Sequence, residues 1–191
     1  MAIIDSRKWL ENRTIAELRR TDINHHRSSR AKWTTPQRGW VKCNYDSSHH
    51  EGTSASGIGW IIRNSCGTFM ECGMSKFQGR ATVEESECTA LIWALRASWN
   101  LSYKKVEFDG DNLNIIRLIN SKVVTSRLRH YLDEIWHWRS MFTETKFTFH
   151  HREQNKCADI LARQAQRSLD DGFLFHSCPN FLVTVVNAEP G

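Results

Sequence analysis

Four acidic residues in this chain stand where an ordinary structural role is awkward. Asp46 closes "WVKCNYD", on the opposite side of the alternation from Val41, Cys43 and Tyr45. Glu87 falls on the small apolar stripe Ala90, Leu91, Ala94 and Ala97 of a helical segment, so it should point toward a sheet rather than into solvent. Asp111 ends "KKVEFDGD", where a strand pattern gives way to a helical one, and Asp159 lies among apolar neighbours in "NKCADILARQAQR". Glu107, Asp109 and Asp111 are crowded into five residues, and like charges this close raise one another's pKa unless a cation sits among them. Taken alone, Asp111 also reads as the N-cap of "NLNIIRLIN". Four carboxylates from separate elements, converging at one edge of a sheet, would need a cation. Hard oxygen ligands of this kind suit Mg2+ or Mn2+. Two such ions about 3.5–4 Å apart can activate a water and stabilise the leaving oxygen of a phosphodiester.

The elements that must position these residues follow from periodicity. "WVKCNYD" alternates as a strand, and "GIGWIIRN" and "TFMECGMSKF" are two more, joined by the turn-rich "NSCG". The period then becomes helical in "TVEESECTALIWALRASWN", which opens with a capping box of Thr82 and Glu85. "KKVEFDGD" is a fourth strand, "NLNIIRLINSK" a short helix, and "SRLRHYLDEIWHWRSMF" a helix with an apolar stripe. "TKFTFHH" is a fifth strand and "NKCADILARQAQR" a closing helix. The order β-β-β-α-β-α-α-β-α, with a hairpin start and later crossovers, predicts a mixed sheet with helices packed on it.

Composition narrows the setting. The 191 residues fit one domain with extensions, and 40% hydrophobic content suffices for a core. No stretch approaches the roughly 18–20 apolar residues of a membrane span, and "MAIIDSRKWLENRT" lacks the apolar run of a signal peptide. The expectation is an intracellular soluble protein, nuclear or cytoplasmic, monomeric, with "RSSRAK" a weak nuclear-type cluster. The six cysteines form no Cys-x-x-Cys pair and the histidine doublets lack ligand spacing, so free thiols and surface histidines are expected. Residues 1–35 hold eight Lys/Arg against four Asp/Glu, a net +4, and the remainder holds 18 against 17, a net +1. The basic excess therefore belongs to an N-terminal arm, which either touches a polyanion or is a solvated linker. The arm, with a moderate helical pattern over Lys8–Arg20, precedes a domain from 36 to 167, bounded by Pro36 and Gly39, and an apolar tail from 168 to 191 could dock on it.

"WVKCNYDSS", "GIGWIIRNSCGTFM", "ESECTALIWAL", "VEFDGDNLNIIRLIN" and "FHHREQNKCADILARQA" resemble, in order and spacing, the plant-type ribonuclease H domain. That domain occurs in stand-alone plant proteins and at the C-terminal end of non-LTR retroelement reverse transcriptases. The resemblance covers Trp40 to Arg167. It implies an α/β fold with a five-stranded mixed sheet, the first three strands antiparallel, flanked by helices. It also implies hydrolysis of the RNA strand of an RNA/DNA hybrid with two Mg2+ ions, leaving 3′-hydroxyl and 5′-phosphate ends. The family's acidic set falls on Asp46, Glu87, Asp111 and Asp159, with Asp109 a neighbour rather than a ligand. In that scheme Asp46 bridges both ions, Glu87 and Asp111 hold one side, and Asp159 completes the other. Contacts to 2′-hydroxyls would select the hybrid, with Ser47, Ser48, Asn112 and Asn155 as candidate substrate contacts.

The chain departs from the family in three places. Ser47 replaces the Gly that commonly follows the first acid, "DGD" replaces "ETD", and Arg152 or Glu153 stands where some relatives carry a mobile His. Two further questions stay open in the sequence. A domesticated retroelement remnant that binds nucleic acid without turnover fits the same motifs, as does, less well, an exonuclease or integrase. Trp136, Trp138 and Arg139 read either as helix packing or as a surface that grips nucleic acid.

Overall fold

The computed structural model describes residues 32–49, 55–79 and 82–189. The alternating segments form β1 (Val41–Ser48), β2 (Ala55–Asn64) and β3 (Phe69–Gln78). The β2–β3 turn is closed by the Asn64 side chain, which accepts from the amides of Cys66 at 2.9 Å and Thr68 at 3.0 Å. Gly67 supplies the left-handed backbone there, with φ +75°. Helix α1 (Val83–Asn100) begins at the expected capping box: the Glu85 amide donates to Thr82 Oγ1 and the Thr82 amide to Glu85 Oε2. Strand β4 (Lys105–Gly110), α2 (Leu113–Ser121), α3 (Arg129–Ser140), β5 (Glu144–Phe149) and α4 (Lys156–Arg167) follow.

The sheet has six strands in the order β5-β4-β1-β2-β3-β6, one more than expected. β1, β2 and β3 pair antiparallel, and β1, β4 and β5 pair parallel. The extra strand, β6 (Gly172–Phe175), adds antiparallel to β3, and α5 (Asn180–Ala188) follows it, so the tail is docked. The packed body also begins before Pro36. Trp33 is buried, donates from Nε1 to Asn44 Oδ1 at 2.9 Å, and lies 3.6 Å beneath the Arg63 guanidinium. The expected helix over Lys8–Arg20 and the basic cluster lie outside the described residues.

Helices α1, α2 and α3 cover one face of the sheet, burying Cys43, Tyr45, Ile58, Trp60, Val106 and Phe108 beneath Leu91, Leu95, Ile119 and Leu132. Helix α4, joined by α5, covers the other over Ile61, Cys72 and Met74. It lies so close to β2 that a Cβ on Gly57 would come within 1.9 Å of the Ala162 carbonyl oxygen, and one on Gly59 within 2.5 Å of the Ala162 amide. Two glycines in β2 thus set how tightly α4 presses on the strand beside Asp46. The tryptophans of α3 are partly buried against the core. Trp136 donates from Nε1 to the Ile119 carbonyl at 3.3 Å, and Trp136 and Trp138 lie against the core. All six cysteines are free thiols, four of them buried.

Candidate metal centre

Asp46 sits near the end of β1, Glu87 in the second turn of α1 and Asp111 between β4 and α2. One carboxylate oxygen from each lies within 4.8 Å of the others. Asp46 and Glu87 are buried and Asp111 is partly so. Asp111 is not the helix cap: Asn112 takes that place, its side-chain oxygen accepting from the Ile115 amide at 3.2 Å. The cap one residue on holds the backbone so that Asp111 stays outside the helix and in the cluster.

Ser47 fastens this arrangement. Its hydroxyl donates to Glu87 Oε1 at 2.6 Å, and its amide donates to Asp46 Oδ1 at 2.8 Å and to Glu87 Oε1 at 3.3 Å. A residue that departs from the family pattern here gives Glu87 a fixed orientation. The other oxygens, Asp46 Oδ2 and Glu87 Oε2, are buried with no hydrogen-bond donor, and unpaired buried carboxylate oxygens are costly. Burial, then repulsion from Glu87, Asp111 and Asp159, pushes the Asp46 carboxyl well above its ordinary range. Burial and the charge of Asp111 push Glu87 up to about 8, despite the Ser47 hydrogen bonds. Burial also raises Asp111, with Arg152 opposing it. Three acids that repel one another, two of them with a buried oxygen lacking a donor, form a donor set fitted to a hard divalent cation.

Asp159 does not join the three. Its Oδ1 accepts from Arg152 Nη2 at 2.7 Å and pairs with Arg163 Nε at 3.1 Å. It is close enough to raise both Asp46 and Asp111, so it borders the cluster while its charge is held by two arginines.

The neighbouring acids are treated differently. Lys42, 1% exposed, places Nζ 3.0 Å from both Glu107 and Asp109. Asp109 also takes the Thr148 hydroxyl and lies 3.0 Å from His150 Nδ1. Gly110 completes the local packing, since a Cβ there would fall within 2.5 Å of the Tyr45 ring. The small residue in "DGD" is therefore required by Tyr45.

A pocket of about 790 Å³ opens over the site. Asp46, Glu87 and Asp111 line it, as do Arg152 and, from α4, Arg163, Gln166 and Arg167. Ser47, Ser48 and Asn112 also border the pocket, with Ser48 donating to Gln166 Oε1 at 2.7 Å. Asn155 does not: it is 1% exposed, donates to the Tyr45 carbonyl at 2.8 Å and accepts from Asn44 at 3.2 Å. It braces β1 against the start of α4, with both ends of its amide engaged. Sequence reasoning missed Lys42 and the α4 arginines. The second group had a signal, because Asp159, Arg163 and Arg167 recur at helical spacing.

This sheet order and acidic cluster define a ribonuclease H-type fold. The chain belongs to the reverse transcriptase-like family, whose model matches residues 44–165. It is 26% identical over 142 residues to an Arabidopsis thaliana protein named as a ribonuclease H protein, across 74% of this chain and 23% of that protein. The chain thus spans about a quarter of the length of that curated relative. Ribonuclease H1 of the archaeon Halobacterium salinarum superposes with a TM-score of 0.62 at 25% identity, covering 66% of this chain and 96% of that one. LC11 ribonuclease H1, solved in complex with an RNA/DNA hybrid, superposes with a TM-score of 0.60 at 24% identity, covering 66% and 96%. These likenesses establish a plant-type ribonuclease H domain.

Proposed function

We propose that this domain hydrolyses the RNA strand of RNA/DNA hybrids with the help of Mg2+, or Mn2+ in its place. The observation that carries the reading is the trio Asp46, Glu87 and Asp111, three acids with oxygens within 4.8 Å, two of them with a buried oxygen that has no hydrogen-bond donor. Bound divalent ions supply positive charge at the phosphate and a water acidic enough to act as nucleophile near neutral pH. Glu87, fixed by Ser47, and Asp111, kept out of α2 by Asn112, would hold one ion together with Asp46. Asp46 and Asp159 are the residues that would hold a second ion, Asp159 now being paired with Arg152 and Arg163. Ser47, Ser48 and Asn112, which line the pocket, would meet the sugar and phosphate groups of the substrate.

One observation favours a second reading, a binding module without turnover: the fourth carboxylate already carries two arginine partners. A single assay separates the two. Labelled RNA/DNA hybrid, duplex RNA and single-stranded RNA are incubated with and without Mg2+ or Mn2+, beside the Asp46→Asn protein. Metal-dependent cutting of the hybrid alone, reduced at least about a thousandfold in Asp46→Asn, is the expected result. Hybrid binding with no cutting by the native protein identifies the binding module.

A further inference from the structure

We infer that Arg163 and Arg167 of α4 hold the two phosphates that follow the scissile one along the strand being cut, which rests on the hybrid-nuclease reading above. The acidic trio and the cations Arg163 and Arg167 of α4 line the same pocket, together with Arg152 from the segment before that helix. Asp159, Arg163 and Arg167 stand at successive four-residue intervals on that helix, about 6 Å apart along its axis. This is a step on the scale of successive phosphates in one strand. The first position borders the metal cluster and the next two are cations. After Asp159 the helix carries no other acid, so nothing on it opposes a polyanion.

Both arginines have charge to offer. Arg163 is half exposed and meets Asp159 Oδ1 through Nε at 3.1 Å. Arg167 is exposed and has no hydrogen-bond or ion-pair partner among the described residues. Their helix is held rigidly relative to the trio. Gly57 and Gly59 let it lie directly on β2, and Ser48, two residues from Asp46, is hydrogen-bonded to Gln166. A cation placed on such an element meets a phosphate in fixed register with the metal centre, which is what cutting at one defined bond requires. Arg167 also lies at a helix C-terminus, where a cation is favourable without any ligand. The experiment must separate that role from phosphate binding.

Hybrid affinity is measured by fluorescence anisotropy in a Mg2+ buffer, using Asp46→Asn protein so that the substrate survives, across about 50–200 mM monovalent salt. Each phosphate contact contributes roughly 0.9 to the slope of log affinity against log salt. Arg167→Ala should therefore lower that slope by about 1, and the Arg163→Ala/Arg167→Ala pair by about 2. Over the fourfold salt range, each lost contact lightens the fall in affinity by about threefold. A methylphosphonate scan of the RNA strand then locates the contact. Neutralising the phosphate that meets Arg167 should weaken binding when Arg167 is present and have no further effect in Arg167→Ala. Unchanged salt slopes, with Arg167→Ala merely less stable, overturn the clamp and leave a helix-end charge. Sensitivity confined to the DNA strand also overturns it. If the native protein binds the hybrid but never cuts it, the nuclease reading fails while the slopes still decide the clamp. If no hybrid binding occurs, both fall.

Discussion

Asp109 and Asp111 are two residues apart, yet among the described residues only the first forms a salt bridge with a lysine. Asp109 is fully buried against Lys42 Nζ at 3.0 Å, with Glu107 on the same ammonium. Asp111 instead joins Asp46 and Glu87, where two buried oxygens have no donor. The first group has a buried ammonium of the protein at salt-bridge distance; the second has no such partner among the described residues, which is what suits it to an added cation. Buried charge by itself does not mark a functional site. What marks it is buried charge that the fold leaves uncompensated.

The largest effect should come from removing the internal cation. Lys42→Met leaves Asp109 buried beside Glu107 with only the Thr148 hydroxyl and the His150 ring as neighbours, and stability should fall by about 3–5 kcal/mol in denaturant unfolding. Lys42→Met/Asp109→Asn should recover most of that loss; no recovery would show that Lys42 acts through packing instead.

A smaller effect should follow from the trio's pH dependence. Glu87 titrates at about 8 in the fold against an ordinary 4.5. Between those values the folded state keeps a proton that the unfolded chain has released. The contribution of Glu87 to the stability of metal-free protein is therefore intact below about pH 4.5 and declines as pH rises through about 8. Glu87→Gln should remove that decline and raise the stability of metal-free protein at pH 8 by on the order of 2 kcal/mol. Saturating Mg2+ should also abolish the decline in the native protein, because the ion binds the deprotonated carboxylates. Thermal unfolding across pH 5–8, with and without Mg2+, checks both statements. The smallest effect should be that of Glu107→Gln. Its side chain reaches the surface and Lys42 keeps Asp109, so the loss should stay below about 1 kcal/mol.

The features legible in the sequence were those set by local pattern. The alternation of "WVKCNYD", the capping box at Thr82 and the helical stripe of α3 each fixed an element, and the five ordered motifs fixed the fold. β6 and α5 were not legible. "GFLF" is four residues with no alternation and becomes a strand only by pairing with β3. "NFLVTVVNA" is rich in β-branched residues, which disfavour helix until the far side of the sheet offers a place to bury Leu182. In the site, Asp46 and Glu87 were readable because their neighbours required burial. The pairing of Asp109 with Lys42 was not, since 67 − that is, the interval from position 42 to position 109 − separates them in sequence and only the parallel β1–β4 register brings them together. The engagement of Asp159 by Arg152 likewise depends on the path between β5 and α4, which periodicity does not specify.

The most direct test of this contrast is a calorimetric Mn2+ titration at pH 7.5 of the native protein, Asp46→Asn and Glu107→Gln. Saturable binding by the native protein, weakened at least about tenfold in Asp46→Asn and unchanged in Glu107→Gln, is the predicted result. Equal binding by the native and Asp46→Asn proteins, or binding lost in Glu107→Gln, would contradict the assignment of the uncompensated trio as the metal centre.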